Sequence, residues 1–288
     1  MDAGTRIEQA LQGAVTRADV AGCPPGLAAA MRHAVFPRGA RVRPRLCLAV
    51  AAACGDDEPA LSDAAAISIE LLHCASLVHD DLPCFDNADT RRGRPSVHRS
   101  FGEPLAVLAG DALIVLAFQT LARVVHQPQR LALLVTTVSR SVGVPFGIVA
   151  GQAWECENQV DTVHYHRSKT GALFAAAATA GAAAAGANGE PWRVVGETIG
   201  EAYQVADDIR DAAGDAEEIG KPTGRDAALG RPNLVAELGL VGAVCRLDQL
   251  IADAIAAIPA CSGAADLKLL ILNEAKRLLP PKLAQHAA

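Results

Sequence analysis

Prolines divide this chain into segments whose lengths suit α-helices of about three to six turns. Aromatic residues make up only 3% of the sequence, alanine is abundant, and β-branched residues rarely alternate with polar ones as they do in strands. We therefore predict an all-α protein folded as an antiparallel helical bundle. The prolines that separate the predicted helices are Pro24, Pro44, Pro59, Pro83, Pro104, Pro128, Pro145, Pro191, Pro222, Pro232, Pro259 and Pro280.

The composition is uniform along the 288 residues, without a flexible linker, so we predict a single domain spanning residues 1–288. The net charge is −6, and the basic residues cluster beside acidic motifs instead of forming a continuous stripe. This charge distribution argues against a nucleic-acid surface.

Eight cysteines occur without a C-x-x-C pair, and the first fifteen residues are polar and charged, unlike a signal peptide. These features predict reduced thiols and a cytoplasmic protein. The most membrane-like stretch, residues 172–187, is too short to span a bilayer and is dominated by alanine and glycine. We predict a buried, close-packed helix there and no integral membrane segment.

Two aspartate clusters carry the chemistry: Asp80, Asp81 and Asp86 in the first, and Asp207, Asp208 and Asp211 in the second. Three carboxylates held together repel one another, and in surroundings poor in water the repulsion costs several kcal/mol unless a cation lies between them. A hard divalent ion such as Mg²⁺ meets that demand, because it prefers oxygen ligands.

Arginines flank the first cluster: Arg91 and Arg92 follow it, and Arg41 and Arg43 lie upstream. Guanidinium groups bind phosphate oxygens in pairs, and Mg²⁺ is commonly completed by substrate phosphates. The combination predicts a polyphosphate substrate, of which a diphosphate is the simplest.

Helical spacing predicts which side chains share a face. A helix capped by Ser62 and Asp63 and running to about Asp81 would project His73 and Asp80, seven residues apart, from one side. Gln204, Asp208 and Asp211 follow the spacing i, i+4, i+7, so the second cluster lies along one helical face, and the two acidic helices are expected to face each other across the bundle. Residues 110–118 are predicted to form a buried helix, and residues 214–234 a loop or lid.

These segments together resemble the trans-prenyl diphosphate synthases over nearly the whole chain, and most closely the bacterial geranylgeranyl diphosphate synthases of carotenoid pathways. The two aspartate clusters match the two aspartate-rich motifs of that family. The supporting segments are residues 39–44, 70–73, 91–93, 110–113, 169–171 and 203–207. The resemblance implies an isoprenoid-synthase bundle with a central active-site cavity, usually dimeric, that condenses isopentenyl diphosphate with C5, C10 and C15 allylic diphosphates.

The resemblance also implies residue roles. The two aspartate motifs would hold three Mg²⁺ ions on the allylic diphosphate, whose C–O bond ionises. Positive groups would stabilise the leaving diphosphate, a further set would hold isopentenyl diphosphate, and two polar groups would either face the cation or lie behind the groups that contact the substrate. The groups that stabilise the leaving diphosphate are Arg91, Lys169 and Lys221. Those that hold isopentenyl diphosphate are Arg43, His73 and Arg92, with Arg41 close by. The two polar residues are Thr170 and Gln204.

The chain departs from the family at Ala40, where a lysine that contacts isopentenyl diphosphate is usual, and at Arg231-Pro-Asn, where Lys-x-Thr is more usual. The missing lysine predicts weaker binding of that substrate unless a neighbouring arginine, Arg38 or Arg41, replaces it.

Product length is the last implication. In this family, the residues four and five positions before the first aspartate form the floor of the product cavity, and here they are the small Ser76 and Ala75. Small residues leave room for a C20 product, with Leu72 or Phe118 closing the cavity below. The alternatives are a farnesyl diphosphate synthase or another chain length, a class I terpene cyclase, which the intact second motif disfavours, and a non-catalytic regulatory subunit.

Overall fold

The computed structural model describes residues 2–36, 39–157, 167–213 and 233–278. This part of the chain is almost entirely helical, which confirms the predicted all-α class. Its helices are α1 Ala3–Ala18, α2 Pro25–Val35, α3 Val42–Ala53, α4 Pro59–Asp80, α5 Val97–Phe101, α6 Glu103–Ala122, α7 Pro128–Val142, α8 Ile148–Trp154, a π-helical turn Arg167–Gly171, α9 Ala172–Ala184, α10 Trp192–Ala213, α11 Leu234–Ala256 and α12 Ala264–Leu278.

The chain divides into two compact units. The first unit comprises residues Met1–Ser139 and Ala180–Asn188, and the second comprises Arg140–Thr179 and Gly189–Ala288. The first aspartate motif belongs to the first unit and the second motif to the second unit. That the chain forms one domain, with its two acidic helices facing each other, stays a prediction.

Helix α4 is the central element of the first unit. It packs most extensively against α6 and next against α3, and its side chains are buried nearly all round because Ala, Ile and Leu occupy every face. Complete burial of a side chain such as Ile69 or Leu71 contributes about 1.5–3 kcal/mol. The predicted cap at Ser62 and Asp63 was wrong: the helix begins at Pro59, a residue suited to the first helical position, so both lie inside it.

Helix α6 differs from the predicted buried helix. Its middle is strongly apolar, yet Val107, Leu108 and Val115 are exposed. In the described residues, α4 and α6 are both long and apolar enough to cross a membrane, but 78% of the relevant part of α4 is buried against only 44% for α6. Helix α4 is therefore a core helix, whereas α6 leaves several apolar side chains uncovered.

A short antiparallel hairpin, β1 Thr90–Arg91 and β2 Arg94–Pro95, follows the first motif and was not predicted. Arg91 pairs with Arg94 across it, and Arg92 and Gly93 form the two-residue turn with φ of 53° and 71°. Positive φ at both turn residues is the type I′ geometry that suits the twist of a tight hairpin. The hairpin directs two adjacent arginines to different surroundings.

In the second unit, α10 packs against α11 and against the π-helical turn. Helix α9 is the predicted close-packed alanine helix, with nearly all of its side chains buried. Gly196 on α10 makes close approach possible, since a Cβ atom there would lie 2.4 Å from the carbonyl oxygen of Phe174. The chain of α11 breaks its helical geometry at Gly239, where φ is 70°.

Candidate active site

The first aspartate motif begins where α4 ends. Asp80 is the last helical residue and Asp81 the C-cap. The backbone N–H of Asp86 donates to the carbonyl oxygen of Asp80 at 2.9 Å, which folds the motif into a compact turn. Asp80 and Asp86 are half-buried and Asp81 is buried, so the first and last carboxylates of the motif are the more accessible ones.

Asp81 is paired with Arg91. The Nε of Arg91 donates to both carboxylate oxygens at 3.0 and 3.2 Å, and Nη2 donates to Oδ1 as well. Burial opposes the charge of Arg91, but these bonds and the nearby Asp80 and Asp86 raise the pKa of the guanidinium above its ordinary value. Asp81 therefore holds Arg91 in this structure, and its role as a metal ligand stays a prediction.

Positive groups surround His73 on the preceding part of α4. Nη1 of Arg43 lies 3.3 Å from Nε2 of His73, and the guanidinium of Arg92 stacks against Gly39, where a Cβ atom would lie 2.8 Å from Cζ. Removal of the ring from water, followed by the charges of Arg43 and Arg92, holds the pKa of His73 well below its ordinary value. Arg43, His73 and Arg92 thus form one cationic cluster suited to an anion.

Arg41 is buried and lies outside the cationic cluster. Its side chain is only 3% exposed, and it donates to Glu8 at 2.9 Å, to Glu70 at 2.6 Å and to the carbonyl oxygen of Val35 at 2.8 Å. The predicted contact of Arg41 with diphosphate is therefore not supported, because all its nitrogens are engaged by buried protein groups.

The second motif lies along one face of α10, as the spacing predicted. Nε2 of Gln204 donates to Asp208 at 3.1 Å, and Oγ1 of Thr170 donates to Oε1 of Gln204 at 3.2 Å. The other oxygen of Asp208 accepts the N–H of Leu234, the first residue of α11, at 2.9 Å. The first two bonds fix the orientation of the Gln204 amide, and the third holds Asp208.

The members of the second motif differ in exposure. Asp208 is buried, while the side chain of Asp207 is 49% exposed and pairs with Arg210 at 3.1 Å. Asp211 is half-buried. Asp208, like Asp81 in the first motif, is held by protein donors, and its role as a metal ligand stays a prediction. A cavity of about 600 Å³ opens beside Thr170, Gln204 and Asp208.

Lys169 lies in the π-helical turn, where its Nζ pairs with Glu155 at 2.6 Å. Gln152 donates to the same carboxylate at 2.8 Å. Gly151 on α8 lets the turn approach, since a Cβ atom there would lie 2.5 Å from the backbone nitrogen of Lys169. Sequence analysis missed Glu155 and Gly151; a glycine and a carboxylate at spacing i, i+4 before the lysine were the signal.

The predicted product-length residues occupy α4 and α6. Ala75 and Leu72 are buried in the core of the first unit. Ser76 is half-buried and donates to the carbonyl oxygen of His73 at 2.9 Å, and Phe118 on α6 is half-buried. Helices α4 and α6 pack together, so these residues belong to one pair of packed helices.

The polyprenyl synthetase family model matches residues 24–256. The chain belongs to the polyprenyl synthetase family. Two curated relatives, the geranylgeranyl diphosphate synthases of Cereibacter sphaeroides and Rhodobacter capsulatus, are 55% and 51% identical to it over 280 residues, covering 97% of both chains in each case.

Solved structures agree with this assignment. An apo FPP/GFPP synthase from Zymomonas mobilis superposes with a TM-score of 0.80 at 32% identity, covering 96% of this chain and 98% of its own. A geranyltransferase from Helicobacter pylori, complexed with magnesium and isoprenyl diphosphate, gives 0.78 at 30% identity and covers 94% and 96%. This polyprenyl synthetase therefore has the predicted isoprenoid-synthase fold.

The carboxylates of the two motifs of this polyprenyl synthetase are oxygen donors of the kind that Mg²⁺ prefers. Within the described ranges, no three His, Cys, Asp or Glu side chains are grouped so that they could hold a metal alone. In proteins, Mg²⁺ typically takes one or two carboxylates and completes its shell with water and substrate phosphates. The more accessible carboxylates of the two motifs are Asp80 and Asp86 in the first unit and Asp207 and Asp211 in the second.

Several predicted elements of this polyprenyl synthetase lie outside the described residues. They are the diphosphate ligand Lys221, the predicted lid apart from its last two residues, the departure at Arg231, and Arg38, one of the two proposed substitutes for the missing lysine.

Proposed function

We propose that this polyprenyl synthetase condenses isopentenyl diphosphate with C5, C10 and C15 allylic diphosphates and releases geranylgeranyl diphosphate and diphosphate. The observation that carries the proposal is the first unit's pairing of a cationic cluster, Arg43, His73 and Arg92, with an adjacent carboxylate turn that holds Arg91. A cationic site for one diphosphate beside a carboxylate site for a metal-bound one is what this condensation requires.

Three groups of residues have different roles in the proposed reaction. Arg43, His73 and Arg92 hold the diphosphate of isopentenyl diphosphate. Arg91 and Lys169 contact the allylic diphosphate and stabilise the charge that it gathers as the C–O bond breaks. Asp80, Asp86, Asp207 and Asp211 would hold Mg²⁺, which when bound neutralises the same charge.

The acceptor alkene then forms the new carbon–carbon bond at the allylic carbon, and a proton leaves to the departing diphosphate. Oγ1 of Thr170 and the side chain of Gln204 supply partial negative charge towards the allylic cation. Because Asp208 accepts from Gln204, the amide keeps its oxygen on the side of Thr170. Three Mg²⁺ ions, the number in the family, complete the proposal.

A C20 product is supported by the two relatives that are named geranylgeranyl diphosphate synthase and by the small Ala75 and Ser76 before the first motif. A farnesyl product remains the second candidate, because a farnesyl diphosphate synthase from Geobacillus stearothermophilus is 39% identical over 76% of this chain.

The test is product chain length. Purified protein receives Mg²⁺, isopentenyl diphosphate and each allylic diphosphate in turn, with Asp80→Asn as the inactive control. We expect C20 from all three starters. A C15 end product would support the farnesyl alternative, and hydrocarbon formed without isopentenyl diphosphate would indicate a terpene cyclase. Activity that appears only with a partner protein would indicate a regulatory subunit.

We also infer that two copies associate through α6. The exposed Leu108 and Val115 are seven residues apart, two helical turns, and therefore lie on one face. Exposed apolar side chains on a helix that packs against the core on its other side favour protein association, and an identical partner gives a symmetric solution. The expected assembly is a homodimer.

Location and pathway complete the proposal. All eight cysteines are free thiols, which supports a reducing compartment and hence the cytoplasm. Supply of the C20 product to carotenoid synthesis stays a prediction from the resemblance.

A further inference from the structure

A buried ion-pair network lies behind the cationic cluster. Arg41 and Glu70 have side chains that are 3% and 2% exposed, and Glu8 from α1 completes the network at 13%. Each guanidinium nitrogen of Arg41 meets a protein oxygen: Nε meets Glu8, Nη1 meets Glu70, and Nη2 meets the carbonyl of Val35. Charged groups are costly to bury, and none of these three side chains has a role in the proposed chemistry.

The backbone of Arg41 is unusual as well. It is the N-cap of α3 and adopts φ 51° and ψ 38°, a left-handed conformation that is unfavourable for a residue with a side chain. Such a conformation persists when the surroundings hold it. The three side-chain bonds of Arg41 hold this residue at the entry to α3.

The buried network is joined to the cationic cluster through two helices, α3 and α4. Arg43 follows Arg41 by two positions, in the first turn of α3. On α4, His73 follows Glu70 by three positions and lies one turn along the same face. The start of α3 is therefore attached to α4 twice: by the buried pair of Arg41 and Glu70, and by the contact between Arg43 and His73 at 3.3 Å.

We propose that Glu70 and Glu8, by binding Arg41, are positioning residues that set the distance between Arg43 and His73 and thereby the diphosphate site for isopentenyl diphosphate. The inference rests on the proposed function. It predicts a selective effect: loss of the network weakens the binding of isopentenyl diphosphate. The binding of the allylic substrate, which uses Arg91 and Lys169, is unchanged.

The test compares Glu70→Gln with Asp63→Asn. Both variants remove one carboxylate charge from α4 that pairs with an arginine, but Asp63 pairs with Arg6, at 2.6 Å, two turns before Glu70 and away from His73. For Glu70→Gln we expect the KM for isopentenyl diphosphate to rise about tenfold or more, with the allylic KM unchanged. For Asp63→Asn we expect neither KM to change.

Two results would overturn the proposal. One is an unchanged KM for isopentenyl diphosphate in Glu70→Gln while Arg43→Ala raises it. The other is an equal rise of both KM values, or the same rise in Asp63→Asn, which would indicate general destabilisation. Thermal unfolding of each variant accompanies the kinetics. If Glu70→Gln does not fold, Glu8→Gln, at the more exposed end of the network, should give a smaller rise of the same selectivity.

A binding measurement separates this proposal from the proposed function. Isothermal titration of inorganic diphosphate needs no turnover, so it compares Glu70→Gln with the unmodified protein even if no product forms. Weaker diphosphate binding by Glu70→Gln than by the unmodified protein supports the positioning role. Equal binding by these two proteins overturns it. A protein that binds diphosphate but makes no product would contradict the proposed function only.

Discussion

At the scale of single residues, the cations expected to bind the allylic diphosphate already have carboxylate partners. Arg91 is paired with Asp81, and Lys169 with Glu155. A diphosphate that binds either cation must share it with, or displace it from, that carboxylate. The partners thus prevent these charges from being left uncompensated in the partly buried site before substrate binds.

Ala40 offers a direct test of the cationic cluster. It is exposed and follows Gly39, which contacts Arg92. Because a charge-assisted hydrogen bond contributes about 1.5–3 kcal/mol, we expect Ala40→Lys to lower the KM for isopentenyl diphosphate by about tenfold, and by about a hundredfold at most. Ala52→Lys, which adds the same charge at the exposed far end of α3, is the matched control. An unchanged KM in Ala40→Lys would mean that the existing arginines already compensate.

His73 should make stability depend on pH. Its pKa is lowered in the folded state, so below an unfolded value of about 6.5 the unfolded chain binds more protons and stability falls as pH falls. We expect His73→Gln to lose less unfolding free energy between about pH 7.5 and 5.5 than the unmodified protein does. Urea unfolding at both pH values measures this, with the exposed His126→Gln as the control. Parallel losses in all three proteins would contradict the prediction.

Ala75 tests the predicted floor of the product cavity. Ala75→Phe should shift the product from C20 towards C15, because a phenyl ring in a packed interior removes room for the last isoprene unit. The measurement is the ratio of C15 to C20 products, which does not depend on the fraction of enzyme that is folded. An unaltered ratio would remove Ala75 from the cavity wall.

Residue roles that follow from spacing or charge could be predicted from the sequence. Roles that depend on whether a side chain is buried could not. Gln204 and Asp208 share a face because i, i+4 spacing requires it. Arg41 and Arg43 are indistinguishable as letters, yet one is buried between two carboxylates and the other contacts His73. Only the packing of α1 and α4 around the start of α3 separates them.

At the scale of elements, the π-helical turn before α9 determines where Lys169 lies. Gly151 on α8 is the residue that permits this, and backbone atoms of Lys169, which cannot rotate away, would meet any added Cβ. We expect Gly151→Ala to lower kcat about tenfold or more, since a small displacement of a catalytic group is costly. Gly13→Ala in α1, where the added methyl meets only the mobile end of Arg17, should leave kcat unchanged. Equal kcat values would show that the turn accommodates the methyl group.

The boundaries of elements were predicted unevenly. Prolines located the start of α4 better than the polar pair Ser62 and Asp63 did, because a proline at the first helical position costs no hydrogen bond. Helix α6 was assigned correctly as a helix but wrongly as buried. Its composition resembles that of α4, and a uniformly apolar helix has no polar face from which exposure can be inferred.

At the scale of the whole molecule, the exposed face of α6 predicts the oligomeric state. Leu108→Glu places a charge on a face that is 51% exposed at that residue and 56% exposed at Val115. Burying an unpaired carboxylate in an interface is unfavourable, so we expect this variant to be monomeric by size-exclusion chromatography with light scattering. The control, Val20→Glu, lies in an exposed loop after α1 and should stay dimeric. A monomeric unmodified protein would contradict the dimer, and binding to lipid vesicles would instead give α6 a membrane role.

The turn at Arg92 and Gly93 has a consequence for the whole reaction. Arg91 belongs to the carboxylate turn and Arg92 to the cationic cluster, so the proposed sites for the electrophile and for the nucleophile are joined by one peptide bond. Consecutive Cα atoms are about 3.8 Å apart whatever the packing around them. The relative placement of the two reacting partners is therefore anchored by covalent geometry, and variation elsewhere in the bundle can alter stability or chain length while that anchor is preserved.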